Sequence, residues 1–202
     1  MGRSVVGTPI FDELRDLFER SQGRPGTDLR GKVQANFAEA GRPPLMIVVA
    51  GGRGVGKTTF VGSVSDTDSV SAEADTDFGQ IVLRPGLVLY LFGTSQPPPS
   101  GFGGVLGAVV LVDARRIGDA FATISYFETS DVPFIVAINM FDGELVYELG
   151  EVREALALSP AVPLTTCDVR DSASTARVLQ ELVSYTINVD AWRPPSSPEP
   201  PA

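Results

Sequence analysis

Residues 51–58 read GGRGVGKT, placed directly behind the apolar run LMIVVA at 45–50 and directly before TFVGSVS. This run satisfies the phosphate-loop pattern Gly-x4-Gly-Lys-Thr in the context that gives the pattern meaning, a strand before it and a helix opening through Thr58 and Thr59. Glycines at 51, 52, 54 and 56 let consecutive backbone N–H groups turn inward around a polyphosphate, with Val55 between them. The helix N-terminus adds the positive end of its dipole. Lys57 then reaches the β- and γ-phosphates, and the Thr58 hydroxyl can ligate Mg2+. The chain has fourteen Arg and only two Lys, so a lysine at this one position is informative.

A strand–loop–helix unit of this kind needs a sheet to belong to, and the rest of the chain supplies one. Five further apolar runs follow, FGQIVL (78–83), LVLYLF (87–92), GAVVLVD (107–113), PFIVAIN (133–139) and VPLTTC (162–167). Helical patterns lie at 58–64, 116–128, 151–158 and 173–188. Near-continuous apolar strands separated by helices predict a six-stranded, mainly parallel sheet covered on both faces, a three-layer α/β fold. The tight Arg84-Pro85-Gly86 turn predicts that the second and third strands form an antiparallel hairpin at one edge.

The flanks read differently. Thr8-Pro9 followed by IFDELRDLFER predicts an amphipathic helix with Phe11, Leu14, Leu17 and Phe18 on one face, and residues 21–44 read as a Gly/Pro/Arg-rich linker. The tail after Asp190, AWRPPSSPEPPA, has five prolines in twelve residues and reads as disordered. The expected organisation is therefore an N-terminal extension at 1–43, one domain at 44–189 and a Pro-rich tail at 190–202.

Composition narrows the chemistry. Sixteen basic against 25 acidic residues, net −9, disfavour a nucleic-acid-coating surface, and residues 1–43, with seven basic and six acidic, leave the acidity to the domain. One cysteine, Cys167, and no histidine exclude a disulfide framework, a Cys/His zinc site and any imidazole base. No stretch approaches the ~18 apolar residues of a membrane span, and the charges at Arg3, Asp12, Glu13, Arg15 and Asp16 interrupt any signal-peptide core, so a cytoplasmic protein is expected.

A phosphate loop alone leaves ATPase, kinase and GTPase open. The discriminator should stand at the C-terminal end of a later strand, where α/β sheets bind ligands. There PFIVAIN-MFD places Asn139 and Asp142 in the Asn-x-x-Asp pattern of guanine recognition, about eighty residues beyond the phosphate loop. A carboxylate at Asp142 accepts both N1–H and the exocyclic N2–H of guanine, a pair adenine cannot offer. The competing reading is an Asx turn after a strand. Thr166-Cys167-Asp168, after the last strand, sits where a loop N–H can hold the guanine oxygen.

With these motifs in place the chain resembles the Ras-like small GTPases, and more closely the small GTP-binding proteins of actinobacterial conservon operons. The likeness spans roughly residues 45–188 and includes VAGGRGVGKTTFVGSVS, DFGQI, LVLYLFGT, GAVVLVDARR, YFETSDVPFIVAINMFDG, EVREALAL and CDVRD. The resemblance implies a P-loop NTPase fold of the Ras-like G-domain type, a GTP/GDP switch using Mg2+, and work with a roadblock-type small protein and a sensor-kinase-like membrane protein. It assigns Gly51 to Thr58 to the phosphates and Mg2+, Asn139 and Asp142 to guanine, and Cys167, Asp168 and Val169 to the base-holding loop.

Several positions depart from the Ras pattern. Where Asp-x-x-Gly-Gln is expected after the third strand, the chain reads Gly93-Thr94-Ser95-Gln96 and then three prolines, so both the Mg2+-holding Asp and the γ-phosphate-sensing Gly are gone. Gln96 is the candidate to orient the attacking water. Residues 97–104, PPPSGFGG, resist the helix expected there. In the short first switch loop, 65–77, Thr76 is the candidate Mg2+ or γ-phosphate ligand, against an ordinary loop threonine. Asp113, ending VVLVD, looks like a Walker-B carboxylate, but the resemblance makes it a strand end remote from Mg2+. Arg53 replaces a customary Gly, and is either an obstruction to the water or a built-in arginine finger. A GTP-dependent switch with slow hydrolysis is the leading expectation. A nucleotide-binding adaptor that no longer hydrolyses, and a P-loop ATPase or kinase, are the alternatives.

Overall fold

The computed structural model describes residues 45–66, 70–72, 76–84, 87–95, 105–141 and 147–191. Strands β1 (Leu45–Gly51), β2 (Val70–Ala72), β3 (Thr76–Arg84), β4 (Leu87–Thr94), β5 (Val105–Val112), β6 (Phe134–Asn139) and β7 (Leu164–Cys167) form one sheet in the order β2-β3-β4-β1-β5-β6-β7. β4, β1, β5, β6 and β7 run parallel, while β3 is antiparallel to both β2 and β4. The expected hairpin is present. Its edge is one strand further out, because Val70–Ala72 adds a seventh strand within the segment expected to be a switch loop. Three residues among Asp, Ser and Glu carry no readable period, so only pairing with β3 reveals them as a strand.

The helices are α1 (Lys57–Val64), α2 (Phe121–Glu128), α3 (Leu149–Ala155) and α4 (Ser172–Ala191), with a 3-10 stretch at Ala114–Ala120 leading into α2. The single helix expected over 116–128 is thus divided, with Arg116 at non-helical φ −139°, ψ 51°. Asp113 explains where that stretch begins: its carboxylate accepts from the Arg115 N–H as a cap. Asp171 performs the same service for α4, accepting from the Ala173 and Ser174 N–H groups, and α4 continues two residues beyond the expected boundary at Val189. Strands β6 and β7 begin just after Pro133 and Pro163, whose carbonyls accept from Ala108 and Val136 although proline has no N–H to return.

Both faces of the central strands are buried, which is why those strands read as unbroken apolar runs. One face packs Ile47, Val49, Val109, Leu111 and Ile135 against Phe60 and Val64 of α1 and Leu179 and Leu182 of α4. The other packs Val48, Val110, Val112 and Val136 against Ile124 and Phe127 of α2 and Val152 and Leu156 at α3. The parallel strands therefore deliver their C-terminal ends, Gly51, Val112, Asn139 and Cys167, to one edge of a rigid three-layer core. The segments expected to be an N-terminal helix and a linker, and the Pro-rich tail beyond Ala191, lie outside the described residues, as do Gln96, the 97–104 segment and Asp142. No described helix is long and apolar enough to cross a membrane.

Candidate functional site

The phosphate-loop residues form a single turn between β1 and α1. Gly54 (φ 74°) and Gly56 (φ 104°) adopt left-handed backbone, the alternation that makes a concavity of N–H groups. Gly56 is doubly required: a Cβ there would stand 2.8 Å from Asn139 Nδ2 and 3.0 Å from Val169 Cγ2. Gly51 closes the floor, since a Cβ would fall 2.4 Å from the Leu111 carbonyl oxygen of β5.

Lys57 is 6% exposed, and its ammonium donates to the Gly51 carbonyl at 3.0 Å and the Gly52 carbonyl at 2.8 Å. Folding the side chain back over the loop holds the charge at the mouth, where incoming phosphate oxygens would meet it. Thr58 and Thr59 lie exposed on the first turn of α1. The Thr58 hydroxyl donates to Asp77 Oδ2 at 2.7 Å, a contact across β3 that the motif by itself does not announce. Thr76 opens β3, paired in register with Ala72 and Thr94, instead of lying in a loop.

Asn139 joins the phosphate end of the site to the opposite end. Its Nδ2 donates to the Val55 carbonyl at 2.9 Å, and its Oδ1 accepts from the Val169 N–H at 3.5 Å. The side chain is buried, and the Met140 N–H donates to the Cys167 carbonyl at 2.8 Å, so β6, β7 and the phosphate loop are tied at one point. Sequence reading placed Asn139 here for guanine; the geometry gives it a bracing position between two loops.

The Cys167–Val169 loop is equally determined. The Cys167 thiol is fully buried against Thr175 Oγ1, and burial pushes its pKa up, so a neutral core thiol and not a reactive one stands there. Asp168 turns outward: the Arg170 guanidinium and N–H bond its carboxylate and hold its pKa below the ordinary value. The Asp168 N–H donates to Ser174 Oγ at 3.1 Å, so a base oxygen using that N–H would take over from this hydroxyl.

Asp113 does not face the phosphate loop as a free carboxylate. Arg115 bonds it through the N–H, Nε and Nη2, Arg116 adds Nε at 3.4 Å, and the Arg115 bonds lead in lowering its pKa. This agrees with its reading as a strand-end group. Arg116 itself was not singled out from sequence, yet its Nη2 donates to the Arg53 carbonyl at 3.0 Å and so grips the phosphate loop from behind. Its only signal was the Asp-Ala-Arg-Arg run. The Arg53 side chain is exposed. The other residue missed was Asp77, an acid inside a strand pattern.

A scan against protein-family models finds no match, and no curated protein matches by sequence. Among solved structures, the chain is similar to the Arl6 (BBS3) small GTPase of Trypanosoma brucei, solved with the nucleotide analogue GppNp. They share 14% identity over 73% of this chain and 99% of that one, with a TM-score of 0.57. The FeoB G-domain of Methanococcus jannaschii shares 13% identity over 72% of this chain and 98% of that one, with a TM-score of 0.49. Together with the strand order and the phosphate loop, the similarity to the first establishes the α/β P-loop fold of small GTPase G domains.

Proposed function

We propose that this chain binds GTP and GDP with Mg2+ and works as a slow nucleotide-dependent switch for protein partners. The observation that carries the reading is the Asn139 brace, which fixes the phosphate loop and the Cys167–Val169 loop at one spacing, with the strand end leading to Asp142 between them. A site braced in this way accepts a phosphate at one end and a base at the other. Lys57 and the loop N–H groups take the phosphates, and Thr58 is the Mg2+ ligand from the loop. The metal fits on the chemistry of the donor: the single Thr58 hydroxyl proton goes to Asp77, which leaves the oxygen lone pairs for a hard cation. A Mg2+ held by Thr58 would supply neutralisation of the negative charge on the nucleotide phosphates.

The base end is tested with Asp142→Asn. Replacing an acceptor by a group that donates toward N1–H should weaken GDP binding by at least about tenfold and move preference toward xanthine nucleotides. Wild-type GDP affinity in that variant, or displacement of labelled GDP by ATP as readily as by GTP, defeats the guanine assignment and favours the P-loop ATPase or kinase alternative.

Slow turnover follows from what the chain offers the water. No histidine exists, Asp113 is held by two arginines, and Gln96 follows Gly93-Thr94-Ser95 with no γ-phosphate-sensing glycine directly before it. Single-turnover hydrolysis should run at or below the order of 10⁻⁴ s⁻¹, the intrinsic level of Ras. A rate near about 10⁻² s⁻¹ would instead make Arg53 a finger in cis. The adaptor alternative predicts equal partner affinity with GDP and with a non-hydrolysable GTP analogue. The resemblance to conservon GTP-binding proteins supports a roadblock-type partner and a sensor-kinase-like partner, through which a cytoplasmic domain would reach a membrane.

A further inference from the structure

The C-terminal end of β4 carries Gly93 where a carboxylate normally supports the phosphate-loop Mg2+, yet a carboxylate stands beside that place from another strand. Asp77 lies in β3 and pairs in register with Gly93 of β4, the residue at the vacated position. It is 7% exposed and sends Oδ2 to Thr58 Oγ1 at 2.7 Å. Among the described residues, the Thr58 hydroxyl is the hydrogen-bond partner of this carboxylate, and a buried carboxylate with one neutral hydrogen bond is costly unless a cation joins it.

Gly93 leaves the space beside this carboxylate open. A Cβ at 93 would stand 3.1 Å from Asp77 Cβ and 3.3 Å from its Oδ2, so a side chain there would crowd Asp77 unless the two strands gave way by a few tenths of an ångström. The other acid that resembles a Walker-B group, Asp113, is occupied by Arg115 and Arg116.

The geometry points to Asp77 as the carboxylate of the Mg2+ site, transferred from β4 to the antiparallel strand beside it. It accepts the Thr58 proton, which turns that hydroxyl's lone pairs toward the metal, and its negative charge holds the ion and its water shell against the nucleotide phosphates. Mg2+ suits such a site because it keeps most of its waters and takes one or two protein oxygens. The assignment rests on the nucleotide-binding reading above.

The test is release of fluorescently labelled GDP from the full chain over a Mg2+ titration, for wild type and Asp77→Asn. In wild type, Mg2+ should slow release. In Asp77→Asn the Mg2+ concentration for half-maximal slowing should rise about 10- to 100-fold, with release in EDTA unchanged. Binding of Mn2+ to the GDP complex, followed by electron paramagnetic resonance, should weaken in parallel. An unchanged Mg2+ midpoint overturns the assignment, and so does faster release in EDTA, which would make Asp77 a prop for Thr58 alone. GDP binding that ignores Mg2+ in wild type overturns the metal site and leaves the nucleotide reading standing. Failure of wild type to bind labelled GDP at all sinks both. Should Asp77→Asn not fold, Asp77→Gly with Gly93→Asp carries the test. Returning the carboxylate to β4 should restore the midpoint to within a few-fold of wild type, and a midpoint about tenfold or more higher overturns the exchange.

Discussion

Lys57→Ala is expected to lower affinity for both GDP and GTP by about 100-fold or more, the largest single effect at the site. Each hydrogen bond from a charged donor to a charged oxygen contributes about 1.5–3 kcal/mol, and this ammonium would serve oxygens on two phosphates. The structure adds a reason why other groups should not compensate. The ammonium is held at the loop mouth by the Gly51 and Gly52 carbonyls, and the Arg53 side chain is exposed while the Arg116 guanidinium is spent on the Arg53 carbonyl and the flanking acids Asp113 and Asp119. Calorimetric titration with GDP checks the result, with thermal melts of the nucleotide-free protein to confirm folding. An affinity within about threefold of wild type would remove the phosphate loop from the account of binding.

Asn139→Ala should damage stability and binding together, and this separates a brace from a simple base contact. Truncation leaves the Val55 carbonyl and the Val169 N–H without their side-chain partner in a buried place. An orphaned buried group costs about 1–3 kcal/mol, and the 2.9 Å bond to Val55 carries most of it, since the 3.5 Å contact is weak. For a domain of this size each kcal/mol shifts the melting temperature by roughly 2–4 °C, so a fall of about 2–12 °C without nucleotide is expected. GDP affinity should fall as well, because the two loops lose their fixed spacing. A variant that melts like wild type but binds GDP poorly would assign Asn139 to the base alone.

These two residues also mark how legible the site was. The phosphate loop announces itself because its demands are local: left-handed glycines, a lysine and a hydroxyl must follow a strand within eight positions, and the chain has them at 51–58. Asn139 was found by its position at the end of a strand, while its attachment to Val55 and Val169 was not readable, since those groups are 84 and 30 residues away along the chain. The helix expected over 116–128 divides because Asp113 collects Arg115 and Arg116 at its start, a contest between a cap and a helical period that a period count cannot weigh.

The sequence by itself determined the α/β class, the phosphate loop and the parallel strands. Double-sided burial forces apolar runs, and turning backbone around phosphate forces glycine; both constraints act on neighbours in the chain. Only the tertiary structure decided the edge strand Val70–Ala72, the grip of Arg116 on the phosphate loop, and the identity of the acid beside Thr58. Asp77 and Gly93 lie sixteen residues apart and meet because β3 and β4 are antiparallel in one register. A shift of one residue would send the carboxylate to the opposite face of the sheet. Register is set by the whole packed sheet, so the residue that completes the site could be recognised only once the sheet had formed.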